Sequence, residues 1–165
     1  IINLLKAYRK LTSDLDFDIK LVLVLQILDK NYFLEIEKFI KSNFTENQIV
    51  IFSNLSSDNL PNLYRYAELY VFTSYCEVFG LTSLEAMSQK TPVVISNKSS
   101  LPEINGNAAI YFDPDDVSEI ANSLKMTLID NSLKQKLIEE GIAQLKKYNS
   151  KDNIKKTIRI IENIN

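Results

Sequence analysis

Apolar positions recur along this chain with two periods that alternate through most of its length. Over residues 1–11, Ile1, Ile2, Leu4, Leu5, Tyr8 and Leu11 fall at helical spacing. Residues 31–44 repeat that spacing through Tyr32, Phe33, Ile36, Phe39, Ile40 and Phe44. Between them, residues 19–27 are apolar and rich in branched side chains, the pattern of a buried parallel strand. Further strands are expected over 48–52, 69–73 and 92–96, with a short one over 109–112. Helices are expected over 58–68, with Asp58 or Ser57 as cap and Pro61 in the first turn, and over 81–89. Beyond Pro114 the pattern is helical throughout, over 116–129, 132–148 and 151–164, the last capped by Ser150.

Strands alternating with helices in this way predict an α/β fold. The expected architecture is a Rossmann-like, mostly parallel sheet with helices on both faces and a helical C-terminus. Crossovers in such a sheet are right-handed. Ligands bind at the carboxyl ends of its strands, in the loops that lead into helices. The loops to read are those after Ile27, Phe52, Thr73 and Ser96.

Composition narrows the chemistry by exclusion. The 165 residues contain no His, which removes Ser-His-Asp and Cys-His triads, His-ligated zinc and a His general base. Cys76 is the only cysteine, so no internal disulfide and no multi-Cys metal site can form. The three glycines are Gly80, Gly106 and Gly141, and no pair has the spacing of a dinucleotide fingerprint or a P-loop. A net charge of −2 argues against a nucleic-acid binder. No apolar run approaches a membrane span, and no signal-peptide pattern opens the chain. The chain begins at Ile1 in mid-helix pattern, and residues 1–165 are read as one domain cut from a longer protein. The Asn-x-Ser/Thr triplets at Asn43, Asn54 and Asn97 are taken as chance in so Asn-rich a chain.

The loop after Thr73 stands out. It runs Ser74-Tyr75-Cys76-Glu77-Val78-Phe79-Gly80 into Leu81-Thr82-Ser83-Leu84-Glu85. Gly80 at a helix start lets a ligand approach the backbone. The free N–H groups of Gly80, Leu81 and Thr82, with the helix dipole, suit phosphate or sugar oxygens. Glu85, about one turn into the helix, leans back toward its N-terminus. Two acceptor-only carboxylates, Glu77 and Glu85, suit vicinal hydroxyls such as those of ribose or a hexose. An alternative stays open at this point. Thr82-x-x-Glu85 also reads as a capping box, with Glu85 serving only the helix start and Glu77 a solvated loop acid.

The residues around the acid pair carry a resemblance. Leu60-Pro61-Asn62-Leu63-Tyr64-Arg65-Tyr66-Ala67 and Val71-Phe72-Thr73-Ser74 come first. Glu77-Val78-Phe79-Gly80-Leu81-Thr82-Ser83-Leu84-Glu85-Ala86-Met87 and Thr91-Pro92-Val93-Val94 follow. Leu101-Pro102-Glu103 and Tyr111-Phe112-Asp113-Pro114 complete the run. In order and spacing this resembles retaining glycosyltransferases of the GT-B fold, the large family 4 (group 1), with their E-F-G-L-P-x-x-E-A-M-A-x-G-x-P-V pattern. The likeness is close over residues 54–114 and looser elsewhere.

The resemblance implies the C-terminal, donor-binding domain of such an enzyme, without the N-terminal acceptor domain and without the first strand. It implies that Glu85 holds the ribose diol and that Glu77, the catalytic candidate, contacts the transferred sugar. It implies that the backbone N–H groups of Phe79, Gly80 and Leu81 bind sugar hydroxyls, and that of Thr82 the diphosphate. Transfer would proceed from a nucleotide-diphospho-sugar with retention, with no cofactor and no bound metal. The acceptor would be a saccharide or lipid-linked molecule held by the missing domain. The implied location is cytoplasmic, at the inner face of a membrane that the full protein touches peripherally. A non-catalytic nucleotide-sugar or partner-binding domain and a sugar-nucleotide epimerase of the same fold are the alternatives.

Departures from the family pattern are Thr82 for Pro and Lys90 for Gly, from which altered loop geometry is expected. Glycines are also missing after the strand ending Val24-Leu25-Gln26 and at Ser53-Asn54. The family's diphosphate-binding Arg and Lys precede the helix at Ile1, whereas Lys6, Arg9 and Lys10 read as a solvated helix face. Glu103 and Lys98 are cleft candidates, Lys98 more simply a solvated loop lysine. Tyr64, Tyr66, Tyr70 and Tyr75 are assigned mainly to the core. The basic residues Lys151, Lys155, Lys156 and Arg159 read as a solvated face, with a membrane-facing patch as the alternative.

Overall fold

A computed structural model describes residues 1–53, 55–148 and 159. The helix expected over 151–164, with its Ser150 cap and its remaining basic side chains, lies outside the described residues.

The chain opens with helix α1 (Ile2–Ser13), followed by strand β1 (Leu21–Leu25), helix α2 (Lys30–Asn43) and strand β2 (Ile49–Ser53). Helix α3 (Leu60–Tyr66), strand β3 (Tyr70–Phe72), helix α4 (Leu81–Ser88) and strand β4 (Val93–Ser96) come next. Helix α5 (Leu101–Asn105), strand β5 (Ala109–Phe112), helix α6 (Val117–Ile129) and helix α7 (Asn131–Leu145) complete the order. Side chains cap several starts. Asp29 accepts from the N–H groups of Asn31 and Tyr32 to begin α2, and Asp116 does the same for α6 through Ser118 and Glu119. The start expected at Asp58 or Ser57 is a 3-10 turn over Ser57–Asn59 capped by Ser56, and α3 begins only at Leu60, ahead of Pro61.

Every strand pairing is parallel. Among the described residues the strands form two sheets, β1-β2 and β3-β4-β5, instead of one. Helices cover both faces of the larger sheet, as residue alternation along β4 shows. Val93 and Ile95 enter a cluster with Leu84, Met87, Leu101 and Ile104. Val94, between them, joins Leu4, Leu5, Tyr8, Phe112, Ile120 and Leu124. All four β4 residues are buried. Burying each large side chain of these clusters contributes about 1.5–3 kcal/mol. Helix α1 presents Leu4, Leu5, Ala7, Tyr8 and Leu11 to this core. The Tyr8 hydroxyl donates to the carbonyls of Ile19 (2.7 Å) and Gln48 (2.9 Å), fastening α1 to the entries of β1 and β2.

The strand expected to be buried over 19–27 differs. Strand β1 is shorter and only half-covered, with Val22 43% and Val24 42% exposed. It pairs on one side with β2 alone, and the described residues leave one of its faces open. Helix α5 was not anticipated. Its five residues are too few to show a period, although Pro102 near its start is a helix-opening signal.

Candidate functional site

Because the strands of each sheet run parallel, the loops leaving their carboxyl ends gather at one edge. There β3 leads through Thr73–Gly80 into α4, and β4 leads through Asn97–Ser100 into α5. Gly80 makes the turn into α4 with a left-handed backbone at φ 77 and ψ 46. A Cβ at this position would lie 2.7 Å from Leu101 Cδ2 and force that side chain to shift, so the backbone and the packing both favour glycine. No side chain caps α4. The first-turn N–H groups therefore keep their outward donors, where the helix dipole favours an anion.

The two acids are held differently. Ser74 Oγ donates to Glu77 Oε1 at 2.9 Å. The Glu77 backbone is gripped from the neighbouring loop: Ser99 Oγ and Ser100 Oγ each donate to its carbonyl at 2.8 Å, and its N–H donates to Ser99 Oγ at 3.3 Å. Ser99 holds this position with φ 57, a conformation costly for a residue with a side chain. Glu85 is exposed on α4 and accepts from the Tyr64 hydroxyl through Oε2 at 3.2 Å. Thr82 accepts from the Tyr70 hydroxyl through Oγ1 at 2.8 Å. The capping-box reading therefore fails. The N-cap of α4 is Gly80, not Thr82, and Thr82 and Glu85 are engaged by tyrosines instead of by the helix start.

Those tyrosines are perturbed. Tyr64 is pushed up to about 12, by burial first and then by the Glu85 carboxylate beside it. Burial drives Tyr70 higher still. Their rings meet edge to face at 5.6 Å. Tyr66 and Tyr75, expected in the core, are 82% and 54% exposed. Tyr66 ends the short α3, and Tyr75 lies in the loop, its hydroxyl donating to Asp115 at 2.6 Å.

Phe79 stands beside Gly80 with its ring edge-on to Tyr148 at 5.5 Å, and Leu81 is exposed. Lys98 is not a free cation: its Nζ pairs with Asp113 Oδ2 at 2.9 Å across two strand-end loops. The pair raises Lys98. Asp113 is held below its ordinary value, by the Asp115 backbone N–H first and by Lys98 next. Glu103 is exposed on α5. Lys6, Arg9 and Lys10 are exposed on α1 as expected, Lys10 donating to Ser118. Lys90 adopts φ 64, so the departure expected to alter loop geometry is accommodated by a left-handed lysine. Sequence reasoning missed Ser74, Ser99 and Ser100, and assigned Tyr64 and Tyr70 mainly to the core. The serine pair ahead of Leu101-Pro102 was the one available signal, since such serines often bond nearby backbone.

Among the described residues, no three His, Cys, Asp or Glu side chains are grouped as metal ligands, and no helix is long and apolar enough to cross a membrane.

The architecture matches that of known enzymes. A glycosyltransferase from Rickettsia africae ESF-5 superposes with TM-score 0.85 at 22% identity, over 99% of this chain and 44% of that one. Anabaena Alr3699/HepE, solved with UDP and glucose, gives TM-score 0.82 at 17% identity over 95% and 44%. In sequence, O-antigen chain mannosyltransferase B of Escherichia coli is 42% identical over 91 residues, 55% of this chain and 24% of that protein. The chain thus spans about a quarter of that relative and under half of either solved chain. The expected Rossmann-like fold of GT-B type is borne out. The signature of the family described as "Glycosyl transferases group 1" runs through residues 1–144, and the chain belongs to that family.

Proposed function

We propose that this chain is the donor-binding part of a glycosyltransferase that moves a sugar from a nucleotide-diphospho-sugar to an acceptor with retention of configuration. The observation that carries the reading is the pair of acids held beside an uncapped helix start, Glu77 by Ser74 and Glu85 by Tyr64. Glu85 accepts from the ribose diol, and Glu77 contacts the transferred sugar. The N–H groups of Phe79, Gly80 and Leu81 take sugar hydroxyls, and that of Thr82 the diphosphate.

As the glycosidic bond breaks, negative charge grows on the leaving diphosphate. The positive end of α4 meets it without reorganisation, which is electrostatic catalysis. The chemistry needs no metal and no cofactor on this reading. A second domain, outside this chain, supplies a saccharide or lipid-linked acceptor and the other wall of the cleft, and the whole protein works in the cytoplasm at a membrane face.

Alanine at Glu77 and at Glu85 in the full-length protein tests this. Both variants are expected to lose transfer, and unchanged transfer refutes the assignment. Ligand-detected NMR of the chain with UDP-, GDP- and ADP-sugars, with Glu85→Ala as control, identifies the base.

A further inference from the structure

Tyr64 is better placed than a packing residue needs to be. Its ring is buried while its hydroxyl reaches an exposed carboxylate on another helix. It is held at its backbone and at its ring. Its own carbonyl accepts from the buried Thr91 Oγ1 at 2.6 Å, just past the end of α4. Its ring rests edgewise on Tyr70. Tyr70 in turn is pinned to Thr82 in the first turn of α4. The phenol therefore has a fixed origin, and the carboxylate it binds has a fixed direction. An unassisted exposed glutamate has several rotamers and loses that freedom on binding.

We propose that Tyr64 is a positioning residue that sets the Glu85 carboxylate for a cis-diol and so determines selectivity for ribonucleotide over 2′-deoxyribonucleotide donors. The proposal rests on the donor-site reading of Glu85 given above. The Tyr64 hydroxyl occupies one lone pair of Oε2 and leaves Oε1 free, so the carboxylate offers a pre-aimed edge to two adjacent hydroxyls. Removing one hydroxyl from the ligand, or the tyrosine hydroxyl from the protein, undoes the same arrangement.

The test measures the affinities of UDP, GDP and ADP and their 2′-deoxy forms for the full-length protein, for Tyr64→Phe, for Glu85→Ala and for the double variant. Tyr64→Phe keeps the ring against Tyr70, and a denaturation curve checks that it folds. The expected result is a ribose preference in the wild-type protein that falls about tenfold in Tyr64→Phe, the scale of one charge-assisted hydrogen bond. Glu85→Ala removes the preference, and adding Tyr64→Phe to it changes nothing more. In addition, the Tyr64 phenol titrates at lower pH in Glu85→Ala, a signature that packing alone does not produce. Preference retained in Tyr64→Phe but lost in Glu85→Ala overturns the role of Tyr64 and leaves the donor-site reading standing. Preference retained in Glu85→Ala, or no binding of any ribonucleotide by the full-length protein at millimolar ligand, overturns both.

Discussion

Replacing Gly80 by alanine tests the geometry on which the candidate site depends. Three terms set the magnitude. The left-handed backbone at φ 77 costs a residue with a Cβ about 1–2 kcal/mol. The stiffer unfolded chain returns about 0.4–1 kcal/mol. The new methyl would lie 2.7 Å from Leu101 Cδ2, the end of a fully buried side chain that would have to shift. Overpacking of this kind costs about 1–3 kcal/mol. The sum is a loss of about 1–5 kcal/mol, a fall in melting temperature of roughly 2–20 °C for a domain of this size. Denaturant and thermal melts followed by circular dichroism read it directly. Gly80→Asn separates the terms, because asparagine tolerates the left-handed region while its Cβ meets Leu101 all the same. Asparagine should therefore recover part of the loss and not the whole. If Gly80→Ala melts within about 0.5 kcal/mol of wild type, the range of a neutral surface substitution, the preference for glycine is refuted.

The same reasoning gives the opposite sign at Lys90: Lys90→Gly relieves φ 64 and should stabilise by about 0.5–1 kcal/mol in the same melts, net of glycine's greater chain entropy. Leu5→Ala, at a fully buried position of α1, should cost about 2–5 kcal/mol by leaving a cavity between α1 and the sheet. Tyr64 and Tyr111 both hold their protons to about 12, whereas an unfolded tyrosine ionises near 10. Their raised values mean that this part of the stability is whole below pH of about 10 and is lost as pH climbs from there toward 12. Phenolate absorbance and melts across that window should show both, and a flat stability profile would contradict it. Lys98→Ala should move the Asp113 carboxyl upward in an NMR titration yet leave it below its ordinary value, since the Asp115 N–H remains.

Much of this fold was legible because period and punctuation agreed. Residues 31–44 show a helical stripe, and Asp29 just ahead of them caps it. Strand β4 reads as apolar from Val93 to Ile95 and is buried throughout. Strand β1 shows the limit. Its run is equally apolar, but whether a layer covers both faces depends on neighbours distant in sequence, and here Val22 and Val24 stay partly open. The candidate site divides in the same way. Glu77, Gly80 and Glu85 sit within one loop and one helical turn, so spacing alone brings them together. The residues that hold them come from elsewhere: Tyr64 is 21 positions from Glu85, and Ser99 is 22 from Glu77. No local pattern encodes those meetings, which arise from α3 packing on α4 and from the parallel register of β3 with β4.

The serine staple across the strand ends has a consequence for exchange between relatives. Ser99 and Ser100 bind the backbone of Glu77, not its side chain, so the grip does not depend on which residue stands at that position. It depends on both loops keeping their lengths. The heritable unit at this edge is therefore a pair of loops. A chimera that imports one from a homologue strands the carbonyl or the hydroxyls of the other, while one that imports both carries its geometry intact.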